Sequence, residues 1–272
     1  MRALILLAVA ACVYGSQQPG SFQPTVRTIA LYTHTNLVPR AQLMTMMAAI
    51  QIQLDRDYSP IWGETAHLIA PANANVTNPL WEECHIFDVS DNAGALGYHE
   101  LTTHGQPIGK VFAKSDLDAG DKVSVTLSHE LLEMMGDPFV NNGVLIQQDD
   151  GTTVFYCLEN ADTVEDDSFA YQINGVYVSN FAYPDWWRLG AVPRWGKYDF
   201  LGVLNSPLQL ALGGYIGVWK SNGGWSQLDN FGQHRKDKTK YHRWEVRQKP
   251  HHHRRRSLPH VTGTHHGRDL EL

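Results

Sequence analysis

In SHELLEMMGDP, residues 128–138, His129, Glu133 and Asp137 recur at intervals of four, and Glu130 follows His129 directly. On an α-helix, residues four apart stack one turn above another, so these three form a polar line with Glu130 beside it. An imidazole and a carboxylate placed this way can hold one cation between them, and the neighbouring carboxylate can accept a proton from an attacking water. Zinc accepts both donor types. A carboxylate where a second imidazole could stand lowers the charge of the site and weakens the ion as a Lewis acid. The oxygen-richer donor set also admits manganese or calcium.

A catalytic zinc takes a third protein ligand and keeps one position open. LENADTVEDD, residues 158–167, crowds Glu159, Asp162, Glu165, Asp166 and Asp167 into a segment that returns soon after the helix. Glu159 is the first choice, because apolar FYCL precedes it and can bury it; Asp162 follows as a ligand or as the partner that orients one. Asp137 competes, but the flanking Gly136 and Pro138 suit a cap or turn. His99 and His104 precede the helix and could line a cleft, although their spacing carries no signal. The plainer reading is a capped helix with solvated acids and a histidine bonded to a neighbouring carboxylate. For the 159–167 run it is a solvated loop or a calcium site that only stabilises the fold.

The elements that must position these groups are legible in outline. TVRTIALYTHT, residues 25–35, reads as a buried strand. In the stretch from Pro39 to Trp62, the spacing of Leu43, Met46, Met47, Ile50 and Leu54 predicts an amphipathic helix. TAHLIAP (65–71) and WEECHIFDV (81–89) are strand candidates separated by an Asn/Pro-rich turn, and the glycine-rich stretch 91–115 reads as a loop feeding an edge strand or hairpin. VSVTLSHELLEMM predicts the second long helix, stopped by Gly136 and Pro138. Beyond it, Asn174-Gly175 and Asn222-Gly223-Gly224 mark two hairpin turns. Trp186-Trp187 suits either a binding platform or a core plug.

The whole chain carries 22 Lys/Arg and 28 Asp/Glu over 272 residues, for a net charge of −6. From His234 onward there are eleven Lys/Arg against four Asp/Glu, so an acidic body precedes a basic tail. The body is expected at 25–231, and the tail, 232–272, reads as disordered. HHHRRR within it suits nonspecific contact with nucleic acid or another anionic polymer. MRALILLAVAACVYG, residues 1–15, has the layout of a secretory signal peptide and is too short an apolar run for a transmembrane domain. VAAC also offers Cys12 as a lipidation site. A secreted or envelope-associated protein follows from that reading, with a cytoplasmic one as the alternative. Cys84 and Cys157 could then form one disulfide or remain as two buried thiols.

With SHELLEMMG on the second long helix after a small sheet, residues 30–160 resemble the N-terminal half of a zincin metallopeptidase. Gly136 falls seven residues after His129, where the pattern HExxHxxGxxH has its glycine. The chain departs from that pattern at Glu133, which replaces the second histidine, and at Phe139, which occupies the third ligand's place; no methionine turn follows. From about Thr28 to Leu228 the chain is also similar to uncharacterised bacterial and phage-associated proteins that carry SHELLEM and GDP-like segments. The resemblance implies an α+β fold: a zincin-like small mixed sheet with two long helices, followed by a hairpin-rich C-terminal part. It implies a zinc peptidase acting on a peptide or protein substrate, with His129, Glu133 and Glu159 or Asp162 as metal ligands and Glu130 as catalytic base. The alternative is a non-catalytic binding or structural module, of phage-related type, on the same scaffold with a degenerate or calcium-filled site.

Overall fold

The computed structural model describes residues 26–92 and 94–231. The expected signal peptide, 1–15, and the basic tail, 232–272, lie outside the described residues. The protein is α+β, built around two sheets. Strands β1 (Arg27–Thr33), β2 (Ala66–Ile69), β3 (Glu82–Phe87), β4 (Gly97–Leu101) and β5 (Pro107–Phe112) form a five-stranded sheet in the order β2-β1-β3-β5-β4. Its four inner pairings run parallel except the last: β4 lies antiparallel to β5 and is one edge of the sheet.

The first long helix, α1 (Arg40–Ile52), starts after Pro39, whose extended backbone places it at the cap. It buries Leu43, Met46, Ala49 and Ile50, one face at intervals of three and four. The helical path then widens into a π-helical segment, Gln53–Tyr58, before the short α2 (Ser59–Trp62) ends at Gly63 with φ +78°. Widening turns Gln53 inward, where its amide donates to the Ser179 carbonyl at 2.7 Å. The stretch 91–115 resolves into the β4–β5 hairpin and a further short helix, α3 (Ala113–Ala119), which apolar periodicity alone did not reveal.

Helix α4 (Val123–Gly136) is the element on which the site depends. Twelve of its fourteen residues are buried, including His129, Glu130 and Glu133. It packs on β4 and β5, and Leu127, Leu131, Leu132, Met134 and Met135 join the core beneath the sheet. Arg27 tethers its C-terminal end: the guanidinium donates to the Met134 carbonyl at 2.8 Å and pairs with Glu82, a cation where the helix dipole is negative.

After α4, β6 (Gly143–Gln147), β7 (Thr153–Cys157), β10 (Tyr215–Lys220) and β11 (Gly224–Asp229) form an antiparallel sheet in the order β11-β10-β7-β6. Between them, β8 (Tyr171–Ile173) and β9 (Val176–Val178) make the hairpin expected at Asn174-Gly175, both turn residues having positive φ. The second core packs under the antiparallel sheet and includes Trp186 and Trp187. Both indoles are buried, donating to the Gln209 and Cys157 carbonyls, so this pair plugs the core. Cys84 and Cys157 are both buried and form no disulfide with each other. No described helix is long and apolar enough to cross a membrane.

Candidate metal centre

The polar line read from the sequence lies on the buried face of α4. His129 Nε2 stands 3.1 Å from Glu133 Oε1, one turn on, and 3.2 Å from Asp162 Oδ1. Asp162 arrives from the segment after β7 and opens a single 3-10 turn, Asp162–Val164. The ligand-capable atoms of His129, Glu133 and Asp162 lie within 4.8 Å of one another. Two ligands at about 2.0–2.2 Å from one ion and at a tetrahedral angle stand about 3.3–3.6 Å apart. The observed 3.1 and 3.2 Å are slightly shorter than that span, so one imidazole nitrogen and two carboxylate oxygens converge on a point that a small outward shift would open to a cation.

Glu159, the first choice from the sequence, lies on a different partner. Its Oε2 is 3.7 Å from Nε2 of His99, which β4 carries on the side facing α4. His99 also stands 3.7 Å from Glu133 Oε2 and 3.8 Å from Glu130 Oε2, both measured from Nδ1. His99, Glu133 and Glu159 therefore make a second group whose ligand atoms lie within 4.8 Å. Sequence spacing gives His99 no signal beyond a place near a cleft; only the pairing of β4 with β5, opposite Gly109, brings it to the helix. His104 lies in the exposed turn of that hairpin, away from the group.

Asp137 acts as a turn residue. Its Oδ1 accepts from the Asn141 and Asn142 backbone N–H groups at 2.9 and 3.0 Å, and its carbonyl accepts from His99 Nε2 at 3.2 Å. Glu165, Asp166 and Asp167 are less buried than Asp162 and take other tasks; Asp166, for example, caps the next turn by accepting from Ser168 N–H. Within the 158–167 acids, then, Glu159 and Asp162 face the helix.

Two residues that the sequence reading missed hold the geometry. Asn160, between those two acids, donates its amide to the Leu132 carbonyl and to the Tyr58 hydroxyl, each at 3.0 Å, strapping the acidic segment to α4. Gly97 is where β4 meets the helix most closely: a Cβ there would lie 2.6 Å from Glu130 Oε1 and 2.8 Å from Thr126 Cγ2. Glycine is what leaves room for the Glu130 carboxylate. Neither residue type announces such a role without the fold.

The electrostatics of the centre are those of crowded, desolvated acids. Burial pushes the Asp162 carboxyl well above the usual carboxylate value, the nearby Glu133 charge adds to this, and hydrogen bonding to His129 works against it. Ionised carboxylates in protein interiors are paired or coordinate metal, and a divalent ion among them would favour their charged forms. Cys84, which β3 places behind the centre, is not a nucleophile: burial, reinforced by Glu130, pushes its thiol up. The donor set of two imidazoles and several carboxylates suits a divalent cation. Neither a family model, nor a curated protein, nor a solved structure matches this chain.

Proposed function

We propose that this protein is a metal-dependent hydrolase of the zincin-like type acting on peptide bonds. The observation that carries the reading is the convergence of His129, Glu133 and Asp162, with Glu130 next in the helix and buried as well. Zinc is the first choice for the ion, with manganese and calcium as the oxygen-favouring alternatives. Bound there, it would supply Lewis acidity, polarising a carbonyl and acidifying water.

The side chains divide the remaining tasks. His129, Glu133 and Asp162 hold the ion. Glu130 accepts the proton of the attacking water and returns it to the departing amine, the ordinary work of a positioned carboxylate. The support for a peptide substrate is the position of β4: it is a sheet edge and runs beside α4, so an extended chain pairing along it would pass the centre. Asn160 and Gly97 act at one remove, by fixing the acidic segment and the space for Glu130.

A second reading is favoured by one observation. His99, His129, Glu130, Glu133, Glu159 and Asp162 are each no more than 7% exposed, and closed metal sites are the structural kind. Here the ion would only bind the fold together, in a non-catalytic module. Glu130→Gln separates the two. As a catalytic base its loss lowers peptide hydrolysis about 10²–10⁴-fold with zinc content unchanged. Zinc-loaded protein that cleaves no member of an unstructured peptide library, with Glu130→Gln altering stability alone, would leave the closed-site reading. Purified protein that takes up no divalent metal would end both.

A further inference from the structure

We infer that the centre is built for two divalent ions, with Glu133 bridging them and His99 and Glu159 completing the second position. This rests on the ion at His129 proposed above and extends it. Glu133 lies between the two imidazoles and turns a different oxygen to each: Oε1 is 3.1 Å from His129 Nε2, and Oε2 is 3.7 Å from His99 Nδ1. A carboxylate whose oxygens diverge in this way can serve two cations, and two-metal hydrolytic sites keep their ions about 3.5–4 Å apart, within the reach of one such bridge.

Each side of the bridge has its own imidazole and its own acid. Asp162 stands beside His129 and Glu159 beside His99, and each triad, with Glu133 common to both, brings its ligand atoms within 4.8 Å. His99 is also prepared as a ligand. The Asp137 carbonyl, 3.2 Å from Nε2, can only accept, so the hydrogen bond there uses a proton on Nε2. Nδ1, on the other side of the ring, faces Glu133 Oε2 and Glu130 Oε2, 3.7 and 3.8 Å away. Those separations are too long for hydrogen bonds, and the one to Glu133 suits two ligands that meet through an ion. Donation from the other ring nitrogen to a backbone carbonyl is how metal-binding histidines are commonly oriented, and Asp137 is itself anchored by the Asn141 and Asn142 N–H groups. The helix places one histidine and the shared carboxylate, the edge strand supplies the second histidine, and the segment after β7 supplies an acid to each.

The test is metal stoichiometry on the full chain. Protein stripped by chelator, reloaded with zinc and desalted is expected to hold two equivalents by elemental analysis. His99→Ala and Glu159→Gln are each expected to hold one, and His129→Ala is expected to lose the first position. Loaded with manganese, the wild type is expected to give the spectrum of an exchange-coupled pair in electron paramagnetic resonance, and Glu159→Gln that of an isolated ion. Circular dichroism of each variant checks folding; if His99→Ala unfolds, Glu159→Gln and the wild-type stoichiometry decide. Saturation of the wild type at one equivalent overturns this inference while leaving the His129 site standing. So does retention of two equivalents by a folded Glu159→Gln. A wild type that binds none removes both.

Discussion

Glu133 stands where a second imidazole would complete a more nitrogen-rich pair with His129, and the exchange has chemical consequences at the scale of one residue. A carboxylate brings charge to the ion and a second oxygen with which to reach another group, here His99 at 3.7 Å. Glu133→Gln keeps the shape and removes the anion. We expect zinc affinity to fall at least about tenfold, the lower end of what loss of a supporting group costs such sites, as read by competition with a chromophoric chelator. Gly97→Ala tests the neighbouring carboxylate by space instead of charge. Its methyl would fall 2.6 Å from Glu130 Oε1, so either the strand or the carboxylate must move. Overpacking of this kind costs about 1–3 kcal/mol, visible in chemical denaturation. Under the hydrolase reading, peptide turnover falls further than stability does while zinc content holds; equal turnover in wild type and variant would show that the Glu130 position does not matter.

At the scale of elements, what the sequence disclosed and what it withheld have different physical origins. Helix α4 was legible because intervals of three and four join Leu127 to Leu131 and Leu132 to Met135 on the core, and put His129 and Glu133 a turn apart. The hairpin at Asn174-Gly175 was legible because few residues other than Asn and Gly accept the backbone found there. His99 was not: its approach to Glu133 depends on β4 pairing antiparallel at the sheet edge, a long-range event that no local period encodes. The ranking of Glu159 over Asp162 rested on apolar neighbours, whereas the fold divides the two between different histidines. Asn160 looked like one polar loop residue among many, yet it joins that loop to α4. Asn160→Ala leaves the Leu132 carbonyl without this donor, and we expect a loss of about 1–3 kcal/mol in denaturant unfolding together with weaker zinc binding, because both acids would be less firmly placed. A second element-scale expectation concerns the turn Pro184–Trp187. Burial acts to raise the Asp185 carboxyl, but the Arg194 N–H and the Arg188 and Arg194 guanidinium groups outweigh it and hold the group below its usual value. A depressed folded value contributes stability above the unfolded value and loses it as pH falls through the folded one. The stability gap between wild type and Asp185→Asn should therefore be open at pH 7 and narrow below about pH 3.9; a gap constant with pH would mean that the ion pairs contribute nothing there.

Across the whole molecule, the centre joins parts of the chain that have separate reasons to fold. α4 and β4 belong with the five-stranded sheet, while the segment carrying Glu159 and Asp162 leaves β7 of the antiparallel sheet, whose core is the distinct cluster around Trp186 and Trp187. In the unfolded chain these ligands are dispersed, so an ion that requires all of them binds the native state and stabilises it by mass action. At a free concentration 100 times the dissociation constant that amounts to about 2.7 kcal/mol, and for a chain of this size each kcal/mol moves the melting temperature by about 2–4 °C. Chelation of zinc-loaded protein should therefore lower the midpoint by about 5–10 °C, and readdition of zinc should restore it. His129→Ala should lose the part of this response that belongs to the first position, and the double variant His129→Ala/His99→Ala should melt near the chelated wild type and respond little to either treatment, because neither imidazole is left to hold an ion. The two arms together matter more than either alone. A wild type indifferent to chelator would show that α4 and the acidic segment are held by Asn160 and packing without help from an ion. A double variant that still responded would place the stabilising ion elsewhere in the chain.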